Sequence, residues 1–206
     1  DADMALGEYK GLRHAIGCVD FENQAGWSGQ WNLGNNLSIM LESALIDTGR
    51  FVLVEREKLS YVIGEQDLAA SGRTAQAKKV ARTGMLRPAR YIATGAITDV
   101  TESKAGQSGG ISFRGVSMGG GRSTAQVTII AKLIDTTTGE IVAKKRVVGT
   151  AEKRSMRVGV NFRGVGTSMG GFTETPLGDA AQDCMNSAAM FFAKTMEEFP
   201  FDGSVI

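Results

Sequence analysis

The sequence is short of the residues on which metal sites, disulfide frameworks and hydrolytic sites depend. His14 is its only histidine, so a zinc site or a Ser-His-Asp set has almost no side chains to draw on. The two cysteines, Cys18 and Cys184, lie in apolar stretches and are predicted to be buried thiols, although sequence leaves a disulfide open. Neither G-x-G-x-x-G nor a P-loop pattern occurs. We therefore predict no enzymatic activity, no metal and no cofactor.

Long hydrophobic runs and an excess of one charge are also missing. No run of 18 apolar residues occurs, which argues against a transmembrane helix. The formal net charge is +1, so nothing overall favours nucleic acid or an anionic membrane. The basic segment 73–82 has no interleaved aromatic residues, and we predict a short solvated helix there instead of a nucleic-acid site. With 206 residues, we predict one domain, 1–206, carrying inserts.

Hydrophobic periodicity predicts the order β-α-β-α-β-β-β-α. Short apolar or alternating runs indicate strands, and a spacing of three to four residues indicates helices. Asn35 or Asn36 is predicted to cap the first helix, and Gly49 and Gly72 to end the first two helices. We predict an α/β (α+β) fold, a mixed sheet with packed helices. The predicted strands are 15–21, 51–54, 91–100, 127–134 and 141–148, and the later helices are 55–70 and 179–196.

Each predicted helix has an apolar stripe that we expect to face the sheet. The strand 51–54 is apolar throughout, which suits a strand covered on both faces. In the second helix the inward residues are predicted to be Leu59, Val62 and Ile63. In the first helix they are Leu37, Met40, Leu41, Ala44 and Leu45, and in the last Ala181, Cys184, Met185, Ala188, Phe191 and Phe192.

Two glycine-rich inserts of 24 residues, 102–125 and 154–177, interrupt this pattern and nearly repeat each other. Residues 112–116 read SFRGV and residues 161–165 read NFRGV, and SMGG follows both. Seven of the 27 glycines lie in the first insert and five in the second. A membrane-spanning hairpin needs roughly 20–25 residues, because each strand needs about 9–11. The length therefore fits two membrane hairpins.

Alternation supports that interpretation more strongly in the second insert than in the first. The predicted membrane-facing side chains are Met156, Val158, Val160 and Phe162, with Ile111 and Phe113 in the first insert. The predicted lumen or rim side chains are Arg114, Arg157 and Arg163. A free hairpin cannot satisfy its backbone in lipid, so several chains would have to close one transmembrane β-barrel with four strands each. The alternative is that both inserts are surface loops, since glycine weakens strands.

A polar, glycine-rich segment, 22–34, contains both tryptophans and is long for a connection between a strand and a helix. Exposed tryptophan in such a loop can form a binding surface. Both rings can equally fold back onto the domain.

Several segments in order resemble the curli-export channel family, the CsgG-like proteins. They are 44–56 (ALIDTGRFVLVER) with Leu59 and 65–69 (EQDLA), then 89–98 (ARYIATGAIT), 133–141 (LIDTTTGEI) and 184–188 (CMNSA). The resemblance spans roughly residues 12–198. Members of this family are typically lipoproteins with an N-terminal cysteine, whereas residue 1 here is Asp.

The resemblance implies a homo-oligomeric ring in the bacterial outer membrane, with its α/β domain in the periplasm. Each subunit would give two hairpins, the two inserts, to a shared barrel. The implied partners are an unfolded, curli-like exported polypeptide and periplasmic accessory proteins. In this family a loop before the first long helix narrows the pore, so Gln24, Trp27, Gln30 and Trp31 become candidates for the constriction. The alternative function is a soluble periplasmic scaffold of the same fold that binds partners through its inserts.

Overall fold

A computed structural model describes residues 9–75, 80–106, 111–113, 116–158 and 170–198, with only the backbone described within 104–122 and 154–171. The described part confirms the predicted α+β class and element order, and adds β2, β5 and α3. The strands are β1 (His14–Cys18), β2 (Glu22–Asn23), β3 (Phe51–Leu53), β4 (Tyr91–Gly106), β5 (Ile111–Phe113), β6 (Val116–Asp135) and β7 (Ile141–Val158). The helices are α1 (Leu33–Asp47), α2 (Leu59–Ala70), α3 (Gly170–Thr173) and α4 (Pro176–Glu198).

The described strands form one mixed sheet in which β3 and β7 are opposite edges. Strand β1 pairs in parallel with both β3 and β4, and β2 continues the parallel pairing along β4. Strands β4, β6 and β7 then pair antiparallel in that order. Strand β5 pairs only with the outer end of β6. The parallel half therefore lies beside a long antiparallel half.

Helices α1 and α4 cover one face of this sheet and form the core with it. Helix α1 packs on β1, β2 and β3, whereas α4 packs on β6, β7 and α1. Successive strand residues point to opposite faces, and the side chains toward the helices, such as Ile97, Ile129 and Leu133, are fully buried. The predicted inward residues of α1 and α4 are buried, apart from Phe191, which is half-buried. The helix periodicity thus identified this core correctly.

The start of α1 differs from the prediction. Asn32 caps the helix, because its Oδ1 accepts a hydrogen bond from the Asn35 N–H at 3.3 Å. Gly34 lies so close to the Phe21 carbonyl that a Cβ there would overlap it. The first turn of α1 therefore packs against Phe21, in the segment between β1 and β2. Asn35 and Asn36 lie inside the helix. Gly49 and Gly72 end their helices with φ of +67° and +74°, as predicted.

Three predictions for the region around α2 are wrong. Val62 and Ile63 are 38% and 42% exposed, because α2 makes no substantial contact with another described helix or strand. The helix predicted for 73–82 does not include residues 73–75 or 80–82, while 76–79 lie outside the described residues. Strand β3 is an edge strand with Val52 and Leu53 half-buried, so its apolar run does not mean cover on both faces.

The inserts continue the sheet. In the first, residues 102–106 of β4 pair with residues 121–125 of β6. The second begins as the outer end of β7, but residues 170–173 and 176–177 belong to α3 and α4. The predicted strand-like limb of the second insert therefore cannot extend to residue 177.

Candidate functional site: the strand extension and the loop at its base

A three-stranded extension leaves the sheet at the end where β2 stops. We define it as residues 99–106 of β4, 116–128 of β6 and 148–158 of β7. It begins at a β-bulge between Ile97 and Asp99. Such a bulge bends the strand and increases its twist, which can redirect the strands away from the sheet below. Pairing continues outward as far as Gly106 with Gly121 and Met118 with Val158.

The extension is long enough for a membrane strand. Ala125 is the outermost buried residue of β6 among those with described side chains. Nine residues of β6, 116–124, lie beyond it and remain in strand. A tilted membrane strand needs about 9–11 residues, or roughly 30 Å at 3.3 Å per residue.

The first turns of α4 fix β7 where the extension begins. The helix approaches so closely at Gly149 that a Cβ there would overlap the Ala180 carbonyl oxygen. One residue further, the Thr150 N–H donates to Asp183 Oδ2 at 3.1 Å, which satisfies a donor of the edge strand. Lys153 Nζ lies 2.8 Å from Asp179 Oδ2 and donates to the Glu174 carbonyl at 2.7 Å. The base of the extension is therefore rigidly attached to the core.

The two cysteines are free and buried, as predicted, and belong to this core. Burial raises the pKa of the Cys184 thiol to about 12, with the Asp183 carboxylate adding to the shift. The Cys184 thiol lies 3.7 Å from the Val147 carbonyl oxygen, to which it donates. Burial also raises the pKa of Cys18. Neither thiol is suited to nucleophilic or redox chemistry at neutral pH.

The loop 24–32 lies at the base of the extension. The Gln24 N–H donates to the Ile97 carbonyl at 3.0 Å, directly before the bulge of β4. Asn23 then brackets the loop, since its side-chain amide donates to the Trp27 carbonyl at 2.7 Å and accepts from the Trp27 N–H at 3.1 Å. These hydrogen bonds fix the conformation of the loop at the base of the extension.

The two tryptophans of this loop fold back onto the domain, and the two glutamines do not. Trp27 and Trp31 are half-buried and pack against the core, whereas Gln24 and Gln30 are exposed. The Trp31 ring lies 5.4 Å from the ring of Phe172 in α3, centroid to centroid. The buried Trp27 Nε1 has no hydrogen-bond partner among the described residues. The amide side chains of the loop are therefore exposed, while its two tryptophan rings pack against the core.

The remaining predicted site residues lie where side chains are not described. Five of them lie in strands, and four lie outside the described residues. The roles of all nine therefore stay predictions. The first group is Ile111, Phe113, Met156, Arg157 and Val158, and the second is Arg114, Val160, Phe162 and Arg163.

Sequence reasoning missed three residues that organise this region: Gly149, Phe172 and Asp183. Gly149 interrupts an otherwise alternating strand, a pattern that can indicate a close backbone approach. Phe172 lies within the second insert, which the periodicity assigned to a hairpin. Asp183 lies on the polar side of α4, where the pattern gives no reason to single it out. Only the packing of α4 on β7, and of α3 on α4 and Trp31, explains all three.

The described residues contain no cluster of His, Cys, Asp or Glu able to hold a metal ion. None of the described helices combines the length and apolar character needed to cross a membrane.

The fold and the extension define a class of protein: a mixed-sheet α+β domain that projects a long antiparallel extension beside a rigid loop. The chain belongs to the family described as "Curli production assembly/transport component CsgG", whose sequence pattern matches residues 4–199. That description is of an assembly and transport component and not of a group of enzymes.

Solved structures match the chain at low identity, and a comparison with curated protein sequences found no match. The hypothetical protein CT253 from Chlamydia trachomatis is 9% identical, with 90% of this chain and 95% of that chain covered and a TM-score of 0.42. A PelC dodecamer from Paraburkholderia phytofirmans is 12% identical (85% and 86% covered, TM-score 0.39). Lipoprotein GNA1162 from Neisseria meningitidis is 13% identical (69% and 84% covered, TM-score 0.36). At these scores we draw no functional argument from them.

Proposed function

We propose that the protein is a non-enzymatic subunit of an oligomeric secretion channel in the bacterial outer membrane, which exports an unfolded, curli-like polypeptide. The observation that carries this proposal is the extension, whose strands pair in register beyond the helix-covered core. Family membership adds that the chain is related to a transport component. Several copies close one barrel through the two inserts, and the α+β domain lies in the periplasm.

The loop 24–32 narrows the channel at the base of this barrel. The hydrogen bond from the Gln24 N–H to the Ile97 carbonyl holds the loop at the base of the extension. A ring of subunits would therefore bring the loops together around its axis. Gln24 and Gln30 line the opening, because they are the exposed members of the predicted set. Amide side chains offer hydrogen bonds to a passing backbone and no deep pocket to retain it.

A shortened variant tests the proposal. Lys104 and Ser123 are paired across β4 and β6, so residues 105–122 can be replaced by Asn-Gly, which forms a two-residue hairpin turn. We expect this variant to keep the cooperative unfolding of the core, because α1 and α4 pack below the cut. We expect the unmodified chain to form a large detergent-stable assembly with single-channel conductance in planar bilayers, and the shortened variant to lose both.

Two results would contradict the proposal. One is an unmodified chain that stays monomeric in detergent at all concentrations. The other is a shortened variant that partitions with membranes as the unmodified chain does, which would favour a soluble periplasmic scaffold that binds partners through its inserts. The Gln30→Lys variant, which keeps residues 105–122, serves as the matched control for expression and membrane targeting.

A further inference from the structure

We infer that α2 of one subunit docks on the uncovered face of β6 and β7 of the next copy, head to tail. This rests on the proposed ring and specifies which surfaces build it. The α2 stripe is Tyr61, Gly64, Glu65 and Leu68. The basic sheet face is Ile130, Lys132, Lys144, Arg146 and Val148.

The α2 stripe combines two large side chains, Tyr61 and Leu68, with Gly64 and one carboxylate, Glu65, and all four residues are exposed. Its members follow the i, i+3, i+4, i+7 spacing that normally faces a core. Gln66, the buried residue of α2, lies on the opposite side of the helix. Tyr61 is 75% exposed and Leu68 is 40% exposed. A Cβ at Gly64 would meet no atom within 4 Å, so another backbone could approach closely there. The stripe is built like an interface and has no partner among the described elements.

The basic sheet face lies opposite the helix layer. Helix α4 covers the other side of β6 and β7, where Ala131, Leu133 and Val147 are buried. Ile130 pairs with Arg146 and Lys132 pairs with Lys144, and partners across two strands share a face. Lys144, Arg146 and Val148 are exposed. Ile130 and Lys132 are half-buried, and α4, on the opposite face, is the described helix with substantial contacts to β6 and β7.

The charges of the two surfaces are opposite, and each is uncompensated within the subunit. Lys132 and Lys144 are directly opposite across β6 and β7, an arrangement of like charges that destabilises a sheet. Neither lysine forms an ion pair among the described residues. The same holds for Glu65, the one charged residue of the α2 stripe.

Three carboxylates, Glu42, Glu55 and Glu57, lie near the N-terminus of α2, where Arg56 and Lys58 supply two positive charges. Burial raises the pKa of the Glu42 carboxyl, and the nearby Glu55 and Glu57 carboxylates raise it further, whereas the Lys58 ammonium lowers it. A neighbouring subunit that brings the basic sheet face to this side would reduce the repulsion. Complementary potentials of this kind set which surfaces meet and in which orientation.

The positions of the two surfaces fit a ring. Helix α2 follows β3, one edge of the sheet, and the basic sheet face includes β7, the other edge. Four strand spacings, roughly 19 Å, separate these edges. A contact between different surfaces of identical subunits is heterologous and repeats in one sense, and it forms a closed ring when the rotation closes. A second copy of this chain is therefore the partner that satisfies both surfaces at once.

Cysteine cross-linking in the full-length chain tests the contact directly. Leu68→Cys and Val148→Cys place thiols on the two surfaces, while Cys18 and Cys184 are buried and should not react with a short bismaleimide. We expect the double variant to give a ladder of covalent multimers in detergent. A mixture of the two single variants should give dimers only, and each single variant alone should give none.

Charge reversal supplies a second, independent measurement. Glu65→Lys and Lys144→Glu should each lower the assembled fraction about ten-fold or more, because close charge pairs at interfaces couple by more than 1.4 kcal/mol. The combined variant should recover assembly. Lys194→Glu, an exposed lysine on α4, is the matched control and should leave assembly unchanged.

The outcomes separate this contact from the proposed channel. Rings that form without the 68–148 cross-link and ignore both charge reversals would overturn the contact and leave the channel intact. A cross-link in a single variant alone would also overturn it, because the interface would then join identical surfaces. An unmodified chain that never assembles would overturn both proposals.

Discussion

Thr128 shows how a single buried polar group in this sheet can be costly. It is 1% exposed at the start of the extension, and its Oγ1 has no hydrogen-bond partner among the described residues. The neighbouring Thr98 hydroxyl donates to the Thr128 carbonyl at 3.3 Å, so the backbone is satisfied and the side chain is not. A buried hydroxyl without a partner costs about 1–3 kcal/mol.

We therefore predict that Thr128→Val stabilises the protein by about 1 kcal/mol. The methyl group keeps the β-branched shape and removes the unsatisfied hydroxyl. Urea unfolding followed by circular dichroism measures the change. Thr98→Val is the comparison, since it removes a hydroxyl that does form a hydrogen bond and should be destabilising. A loss of stability in Thr128→Val would show that its hydroxyl has a partner.

His14 links stability to pH. Burial lowers the pKa of its imidazole, and the positive charge of Arg90 lowers it further. The ring lies edge-on to Tyr91 with centroids 5.5 Å apart. The folded state therefore favours the neutral imidazole, while the unfolded chain protonates near its ordinary pKa of about 6.5. Below that value the unfolded state binds more protons than the folded state does, so the free energy of unfolding decreases as the pH is lowered.

The expected result is a free energy of unfolding that rises as the pH increases towards and through about 6.5, with a smaller rise in His14→Phe. Urea titrations of both chains at several pH values provide the measurement. Arg90, Tyr91 and Glu42 are common to both chains, so the difference between their pH profiles isolates His14. Parallel profiles would mean that the imidazole does not titrate differently in the two states.

At the scale of elements, the contact between α4 and β7 connects the core to the extension. Gly149 permits the approach, and Asp183 and Asp179 bind the backbone of Thr150 and the side chain of Lys153. The opposite end of α4 is held by an ion pair between Glu197 and the buried Arg50, just before β3. Helix α4 thus joins both edges of the sheet.

We predict that Gly149→Ala destabilises the protein by about 3 kcal/mol, because the new methyl group overlaps backbone atoms of α4 that cannot move alone. Chemical denaturation of the dilute monomer measures it. Gly64→Ala is the matched substitution, since nothing lies within 4 Å of its Cβ, and it should stabilise by about 1 kcal/mol. Equal effects of the two changes would contradict the close approach.

At the scale of the whole molecule, the extension and the loop 24–32 leave the same end of the sheet. The turn 136–140 between β6 and β7, with Gly139 at φ +76°, lies at the opposite end. Substitutions at the two ends should therefore have different effects on a channel. This difference distinguishes a pore-lining loop from a merely exposed one.

In the proposed channel, Gln30→Lys should lower cation conductance in planar bilayers at least several-fold, because a ring of ammonium groups would oppose cation passage. Thr138→Lys adds the same charge at the far turn and should leave conductance unchanged. Thermal unfolding should be nearly the same in both variants, since both side chains are exposed. Equal conductance in the two variants would remove Gln30 from the constriction.

Local patterns predicted most of the fold. Leu37, Leu41 and Leu45 recur at helical spacing, so α1 and its buried face followed from periodicity. Gly49 and Gly72 adopt the positive φ that a helix end favours, so the ends of α1 and α2 were also predictable. The start of α1 was not, because Asn32, Asn35 and Asn36 are equally good caps and only the contact with Phe21 selects among them.

The candidate site was predictable as segments and not as side chains. The sequence indicated the loop through Trp27 and Trp31, but their folding back depends on Phe172, 141 positions after Trp31 along the chain. The apolar residues of α2 gave the pattern of a core helix, yet Tyr61, Val62 and Ile63 are exposed. Periodicity states that a face is apolar but does not state what covers it.

The sequence by itself determined the main helices and strands, although not β2, β5 or α3, and it offered few side chains for a histidine- or cysteine-based site, because these properties depend on local spacing and composition. Tertiary structure alone decided that the three strands leave the sheet together, that the glutamines and not the tryptophans of the loop face outward, and that α2 is left unpacked. Those properties depend on contacts between residues far apart in the chain, such as Asp183 with Thr150 and Gln24 with Ile97. Such contacts have no periodic pattern in the sequence that reveals them.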